Sequence, residues 1–408
     1  MKNLLKILCS AFFVGVFLMS SFSIAAEPIK FGMPNALSGH GASYAQPMVK
    51  GAEVALTEIN AKGGVLGRPI QLILRDHQGK SELAQRYAEE LISNEKVNFL
   101  VGTIYSSTAM SISQVAKRHK VLFLDCGVRA TAFTEEEGHR YVGSISVDTT
   151  YEGRASAQYV ADYYKKEDIT YWLIGSDYAY GRDAAKYFKE HIKKVKPKSK
   201  QVGETWVKMG ETEFTTPIGA IAAAKPDVIV SLMITNAFQS FTIQAKPYNL
   251  FQRPVIAIPL IGNTENLRPL GKNYPEGVIC SSKYIQGLFK YPASKHFEKL
   301  YLDTTKEKWV PAFAADGYML MWVMAKAIEK AGTTDTEKVI DALGTLQMDT
   351  PKGRLVMRAV DKKCNLGEPW GITKYNPKLG FVELDKVKNI DAAPLMHTPE
   401  EVMAVRKK

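Results

Sequence analysis

Histidine, cysteine and long apolar runs are all scarce in this chain, and each scarcity excludes something. The seven histidines, His40, His77, His119, His139, His191, His296 and His397, are scattered. None falls in an H-E-x-x-H pair, and neither a G-x-S-x-G elbow nor a G-x-x-x-x-G-K-[ST] loop is present. Asp76 and His77 are neighbours, but adjacent residues on a strand face opposite ways and cannot act together. No catalytic residue, cofactor or metal site is therefore expected. Of the four cysteines, Cys9 lies inside an N-terminal apolar run, which leaves Cys126, Cys280 and Cys364. Three thiols permit at most one internal bridge, and their spacing matches no zinc motif.

The one long apolar stretch is Ile7 to Met19, preceded by Lys2 and Lys6 and followed by small residues from Ser20 to Ala26. A membrane span needs about 20 apolar residues, so this shorter run is expected to be a cleavable signal peptide over 1–26, cut after Ala25 or Ala26. The mature chain is expected to be exported, soluble and without direct membrane insertion. Its formal charge of +11 becomes about +9 once the two leader lysines are set aside. Nucleic-acid binding would need that charge concentrated in a recognisable module. The longest basic run, Lys193 to Lys200, is expected at a helix end and loop, as solvated surface. Apolar residues make up 46% and charged residues 23% of the chain, an ordinary globular balance in a length that favours two domains.

Hydrophobic periodicity gives an alternating order of elements. A strand begins at Ile29, followed by a helix from Met48 to Ala61 that stops at the glycines of NAKGGVLG. Then come strand Ile70 to Asp76, helix Glu82 to Asn94, strand Phe99 to Val101, helix Thr108 to Arg118 and strand Val121 to Asp125. A second series follows: helix Glu152 to Lys165, strand Thr170 to Gly175, helix Arg182 to Lys193, strand Asp227 to Met233, helix Phe238 to Pro247 and strand Pro254 to Ile258. Strands separated by helices of this length pair in parallel with helices on both faces. The expected fold class is α/β, with two doubly wound parallel-sheet lobes. Ligands of such sheets bind beyond the carboxyl ends of the strands. Those ends are the loops Asn35 to Tyr44, Gly102 to Thr108, Cys126 to Thr131, Ser176 to Gly181 and Ile234 to Phe238.

These loops carry a resemblance. The segment from Ile29 to Asp76, with GTIYSSTA (Gly102 to Ala109), SDYAYGRDAA (Ser176 to Ala185), QAKPYNL (Gln244 to Leu250) and AFAADGYMLMWVMAKAIEKAG (Ala312 to Gly332), resembles leucine/isoleucine/valine-type periplasmic binding proteins. Those are the type I substrate-binding components of ABC transporters. The similarity runs from Glu27 to about Gly353, and the tail from Asp361 departs from the pattern. The resemblance implies a periplasmic monomer without cofactor, whose lobes are joined by a three-segment hinge and close on a small carboxylate or amino-acid-like ligand for an ABC permease. The first lobe is expected over 27–146 and 284–350, the second over 147–283 and 351–408.

The resemblance also implies where the ligand sits. Ser106 and Ser107 open a helix whose free N–H groups suit a carboxylate. Gly127 to Arg129 line the same pocket; relatives place a small hydroxyl residue where this chain has Arg129, whose guanidinium can grip a carboxylate or pair with Glu135 or Glu136. Tyr44, Tyr151 and Tyr178 fall where relatives have aromatic walls, and Asn236 lies in the loop after a second-lobe strand. Relatives that bind α-amino acids neutralise the ammonium with a second-lobe acid. The segment Val255 to Asn263 has none, with Pro259 at that position, so a branched or aromatic organic acid lacking an α-ammonium is expected. A sensing module presented to a chemoreceptor or kinase is the competing reading, since fold alone does not fix function.

Overall fold

The structure, a computed structural model, describes residues 26–406 apart from Met209, Ile234, Arg253, Pro254, Pro259 and Leu260. The expected leader thus lies almost wholly outside the described residues, as does Pro259.

The chain begins with β1 (Ile29–Asn35), α1 (Ala42–Ala61), β2 (Ile70–Asp76), α2 (Ser81–Ser93), β3 (Phe99–Val101), α3 (Ser106–His119), β4 (Phe123–Asp125) and β5 (Val142–Ser144). These strands form an all-parallel sheet in the order β2-β1-β3-β4-β5. The chain then crosses into α4 (Thr149–Tyr163), β6 (Thr170–Ser176), α5 (Ala179–Val195), β7 (Lys200–Val207), α6 (Thr215–Ala224), β8 (Val228–Leu232), α7 (Thr235–Ala245), β9 (Val255–Ala257), α8 (Thr264–Leu267) and β10 (Val278–Ser281). It returns for α9 (Pro292–Thr305), α10 (Ala312–Ala331), α11 (Thr336–Gly344) and the antiparallel hairpin β11 (Gln347–Thr350) and β12 (Gly353–Val356). A last crossing leads to β13 (Glu368–Asn376), β14 (Phe381–Ile390) and α12 (Pro399–Arg406). Two sheet-built lobes joined by three crossings are the result.

The second sheet runs β14-β13-β10-β9-β8-β6-β7. Its members from β10 to β7 are parallel, whereas β13 adds antiparallel to β10 and β14 antiparallel to β13. The unfamiliar tail is thus a hairpin on a parallel sheet, which a two-stranded antiparallel connection permits without a crossover helix. The strand β7 and helix α6 were not expected from the periodicity, because β7 (KQVGETWV) is mostly exposed and gives no apolar run.

Residues Leu355, Met357, Cys364 and Leu366, expected with the second lobe, pack into the first lobe's core. Arg406 of α12 also reaches that lobe, donating to Thr134 O at 2.6 Å and Val360 O at 2.7 Å. The chain changes lobes for the last time after Leu366 rather than at 350, because the β11–β12 hairpin needs that core to bury its inward side chains.

The helix α10 is apolar nearly all round and buried, and crosses α1 at unusually close range. A Cβ on Gly317 would stand 1.9 Å from Met48 O, and one on Gly51 would stand 2.0 Å from Ala314 O. Only glycine fits at either contact. Cys126, Cys280 and Cys364 are all buried free thiols, so the one bridge that three cysteines would allow does not form. The lysines of the run 193–200 are exposed except for Lys196, which is buried, as is Ser199, and meets Glu167 at 3.2 Å.

Candidate ligand cleft between the lobes

The strand ends of both sheets meet at the crossings, and the expected site residues are distributed around that junction. The helix α3 follows β3 through Gly102 to Tyr105, and no side chain caps its start. Its first intrahelical bond runs from Ala109 N to Tyr105 O at 3.0 Å, so the N–H groups of Ser106, Ser107 and Thr108 fall in the turn that a helix leaves without internal partners. Neither serine is the capping residue, which is Tyr105. Ser106 is half-buried, and its Oγ accepts from Ala130 N at 3.3 Å; Ser107 is exposed. An uncapped first turn carries the positive end of the helix dipole and suits an anion.

The β4 loop is pinned against that turn by Asp125. Its carboxylate accepts from Thr103 N at 3.1 Å, Gly127 N at 2.8 Å and Val128 N at 2.7 Å. Burial pushes this carboxyl up to about 6 despite those bonds and the charge of Lys283. Gly127 is buried, and a Cβ there would lie 2.2 Å from Thr103 O. Residues 125–129 and 102–106 therefore form one packed unit.

Arg129, expected at the ligand carboxylate, is 4% exposed. Its Nη2 donates to Glu368 Oε1 at 2.6 Å, and its Nη1 stands 3.4 Å from Glu152 Oε1. Two carboxylates already meet its charge, and both come from the second lobe. Glu135, the partner considered for it from sequence, is instead 2.7 Å from His397 Nδ1. Tyr180 donates to Glu152 Oε2. Both acids were missed in the sequence: Glu152 sits in an unremarkable helix start, and Glu368 in the tail where no family pattern was recognised from the residues.

The three tyrosines divide. Tyr44 is half-buried, stacks on Phe313 with centroids 4.9 Å apart and donates to Asn266 Oδ1 at 2.7 Å, a bond from one lobe to the other. Tyr178 is half-buried and stacks on Tyr180 at 5.6 Å. Tyr151 is fully enclosed, its hydroxyl taking Glu368 N–H at 2.9 Å and giving to Ile390 O at 2.8 Å. That is a brace between α4 and the tail rather than an exposed wall. Asn236 lies in α7, and its side chain is outside the described residues.

Two further elements hold the junction. Lys283, on the second crossing, donates to Asp316 Oδ2 at 2.5 Å, Cys126 O at 2.9 Å and Ser146 Oγ at 3.2 Å. It joins the middle crossing to the first crossing, the β4 loop and α10. Glu265 on α8 accepts from Phe313 N at 3.0 Å, a carboxylate from the second lobe on the first turn of a first-lobe helix. Its Oε2 is buried without a hydrogen-bond partner. Sequence reading stopped at Asn263, two residues short of this acid. Among the described residues, no group of three or more His, Cys, Asp and Glu side chains could hold a metal ion, and no helix is long and apolar enough to cross a membrane.

Two α/β lobes, three crossings and an anion-ready helix start between them define a type I periplasmic binding fold. The family model for periplasmic binding proteins matches residues 28–377, and the chain belongs to that family, with relatives of the leucine/isoleucine/valine-binding kind. A leucine-, isoleucine-, valine-, threonine- and alanine-binding protein of Pseudomonas aeruginosa is 25% identical over 339 residues, covering 82% of this chain and 87% of that protein. A solute binding protein of an ABC transporter from Rhodopseudomonas palustris, solved with 3,4-dihydroxybenzoic acid, superposes with a TM-score of 0.78 at 20% identity, over 90% of this chain and 98% of that one. A branched-chain amino acid transporter substrate binding protein from Streptococcus pneumoniae, solved with isoleucine, gives 0.76 at 21% identity, over 90% and 100%. Members of this family bind solutes and are not enzymes.

Proposed function

We propose that this protein is the exported substrate-binding component of an ABC importer and that its cleft takes a small organic carboxylate. The observation that carries the reading is the uncapped first turn of α3, set between the lobes with Ser106 and Ser107 at its head. The carboxylate lies on those N–H groups and hydroxyls, while Tyr44 from the first lobe and Tyr178 from the second flank the apolar part. Gly127 lets the β4 loop approach closely, and Arg129 braces that loop from behind, its charge being met by Glu152 and Glu368. A ligand touching both lobes binds the closed form better, and that difference drives closure.

An aromatic or branched acid without an α-ammonium fits best. Glu152 and Glu368 face Arg129, Asp316 faces Lys283, and Asp125 is taken up by backbone N–H groups. One observation favours a second reading: the unpartnered Oε2 of Glu265 could receive an ammonium, which would admit an α-amino acid. The relatives named above are transport proteins, which favours delivery to a permease over presentation to a receptor or kinase. Calorimetric titration of the purified protein with benzoate, 3,4-dihydroxybenzoate, L-leucine and L-isoleucine separates the cases. Binding confined to the two aromatic acids supports the first reading. Binding of L-leucine or L-isoleucine that Glu265→Gln abolishes establishes the second, and binding of none of the four refutes the carboxylate reading.

A further inference from the structure

We propose that carboxylate binding in the cleft is coupled to uptake of a proton by the buried cluster of Arg129, Glu152 and Glu368. The inference rests on the carboxylate reading given above. One guanidinium here faces two carboxylates, with Arg129, Glu152 and Glu368 respectively 4%, 0% and 1% exposed. Their ion pairs measure 2.6 Å to Glu368 and 3.4 Å to Glu152. Arg129 Nε and Nη1, Glu152 Oε1 and Glu368 Oε2 are all buried without a hydrogen-bond partner. Fully ionised, these three side chains carry one net negative charge away from water, which Lys352 acts on through Glu368 without forming an ion pair with it, and such a charge is removed by protonation more cheaply than by solvation.

The surroundings decide which acid takes the proton. Facing Glu152 are Arg129 from the β4 loop, Glu368 from β13, Tyr180 on α5 through its hydroxyl, and Tyr178 stacked on that ring. Lys283 also acts on it from the second crossing, but is committed to Asp316 at 2.5 Å. Burial, only partly offset by Arg129 and reinforced by Glu368, pushes the Glu152 carboxyl up to about 7. Burial acts on Glu368 as well, but Arg129, Lys352 and Lys283 outweigh it and hold this carboxyl below the ordinary range. At the start of the same helix, Asp148 pairs with Lys363, and Asp183 accepts from the Thr149 hydroxyl. Neither of these acids faces Arg129. Glu152, the acid farther from Arg129 and raised by its burial, is thus the member of the pair that takes the proton.

The connection to the cleft is one residue long. Arg129 is followed by Ala130, whose N–H is bonded to Ser106 Oγ at 3.3 Å, at the head of the turn that takes the carboxylate. A ligand anion placed there adds negative charge beside the cluster and raises the proton affinity of Glu152. By linkage the reverse also holds: the protonated cluster binds the anion more tightly, and affinity falls as pH rises through neutrality. A ligand-induced shift of about one pKa unit corresponds to at most about a tenfold change in Kd between pH 6 and pH 8.

The test is titration of the wild-type protein with benzoate at pH 7 in phosphate and in Tris, whose ionisation enthalpies differ widely. The expected result is unequal apparent enthalpies corresponding to a fraction of a proton taken up, with a Kd several-fold larger at pH 8 than at pH 6. In Glu152→Gln the two buffers should give the same enthalpy while benzoate still binds. In Glu368→Gln, which removes the neighbouring negative charge, the pH midpoint of Kd should fall. Equal enthalpies for the wild type with a pH-independent Kd overturn the inference and leave the carboxylate reading standing. Undiminished proton uptake in Glu152→Gln overturns the assignment. If none of benzoate, 3,4-dihydroxybenzoate, L-leucine and L-isoleucine binds, the carboxylate reading falls and this inference with it.

Discussion

Replacing Lys283 by methionine probes the junction at its most connected point. The ammonium is 1% exposed and is the shared donor for Asp316, Cys126 O and Ser146. Methionine keeps the length and apolar stem but leaves the Asp316 carboxylate, itself 4% exposed, without a countercharge. Breaking a buried pair in this way costs about 3–5 kcal/mol, largely because one ion is left uncompensated. That cost lowers the folded-to-unfolded ratio by roughly two to four orders of magnitude. The same reasoning requires that Lys283→Met with Asp316→Leu recover about 2 kcal/mol or more of the single-variant loss, since the stranded charge is gone. The remaining deficit should be about 1–3 kcal/mol, from the carbonyl of Cys126 losing its donor. Urea denaturation of the wild type, the single variant and the double variant measures all three. A single-variant loss below about 1 kcal/mol, or a double variant less stable than the single, would refute the claim that this pair holds the crossings together.

Three more outcomes follow from the same geometry. Gly317→Ala should cost about 3 kcal/mol or more in denaturation, because its Cβ would meet Met48 O at 1.9 Å and overpacking forces the α1–α10 contact apart. Stability should fall as pH drops: burial holds the His77 imidazole down at about 4, below its ordinary 6.5, so the unfolded chain takes up a proton first. The associated stability, about 3 kcal/mol, is complete above pH 6.5 and lost progressively down to about pH 4; denaturation of wild type and His77→Gln at pH 7.5 and pH 4.5 should show a smaller pH effect in the variant. Ser106→Ala should weaken binding of the preferred acid by about tenfold or more, as a hydrogen bond to a charged group contributes about 1.5–3 kcal/mol, with calorimetry as the readout.

Much of the architecture was legible because it rests on local patterns. The alternation of short apolar strands with amphipathic helices set two parallel sheets, and the glycines of NAKGGVLG marked where α1 stops. The start of α1 was placed six residues late, at Met48 instead of Ala42, because small and polar residues precede Pro47 and give no apolar face. The β13–β14 hairpin escaped because neither strand alternates regularly: β13 is buried over most of its first six residues and β14 is polar and largely exposed over its second half.

The cleft was legible only in part. Ser106 and Gly127 closely follow strand ends, where topology alone points, and Tyr44 lies in the first turn of α1 after β1. The chemistry around Arg129 depends on Glu152, 23 positions on, and Glu368, more than 200 positions on, brought together by the first and third crossings. No spacing rule connects such residues. Tyr151 was expected as a pocket wall from the resemblance alone, yet the tail, whose path was not read, covers it and takes the hydrogen bonds of its hydroxyl. Glu265 was missed by a shorter margin, since it lies in a four-residue helix that leaves no periodic signature.

Identification of what the protein carries tests the central claim most directly. The protein, exported and purified without prolonged dialysis, is denatured, and the released small molecules are analysed by mass spectrometry. One organic acid in near-stoichiometric amount, rebinding to the refolded protein and lost on Ser106→Ala, is the expected result. A sugar, a polyamine or another ligand without a carboxylate, bound equally well by the variant, would contradict it.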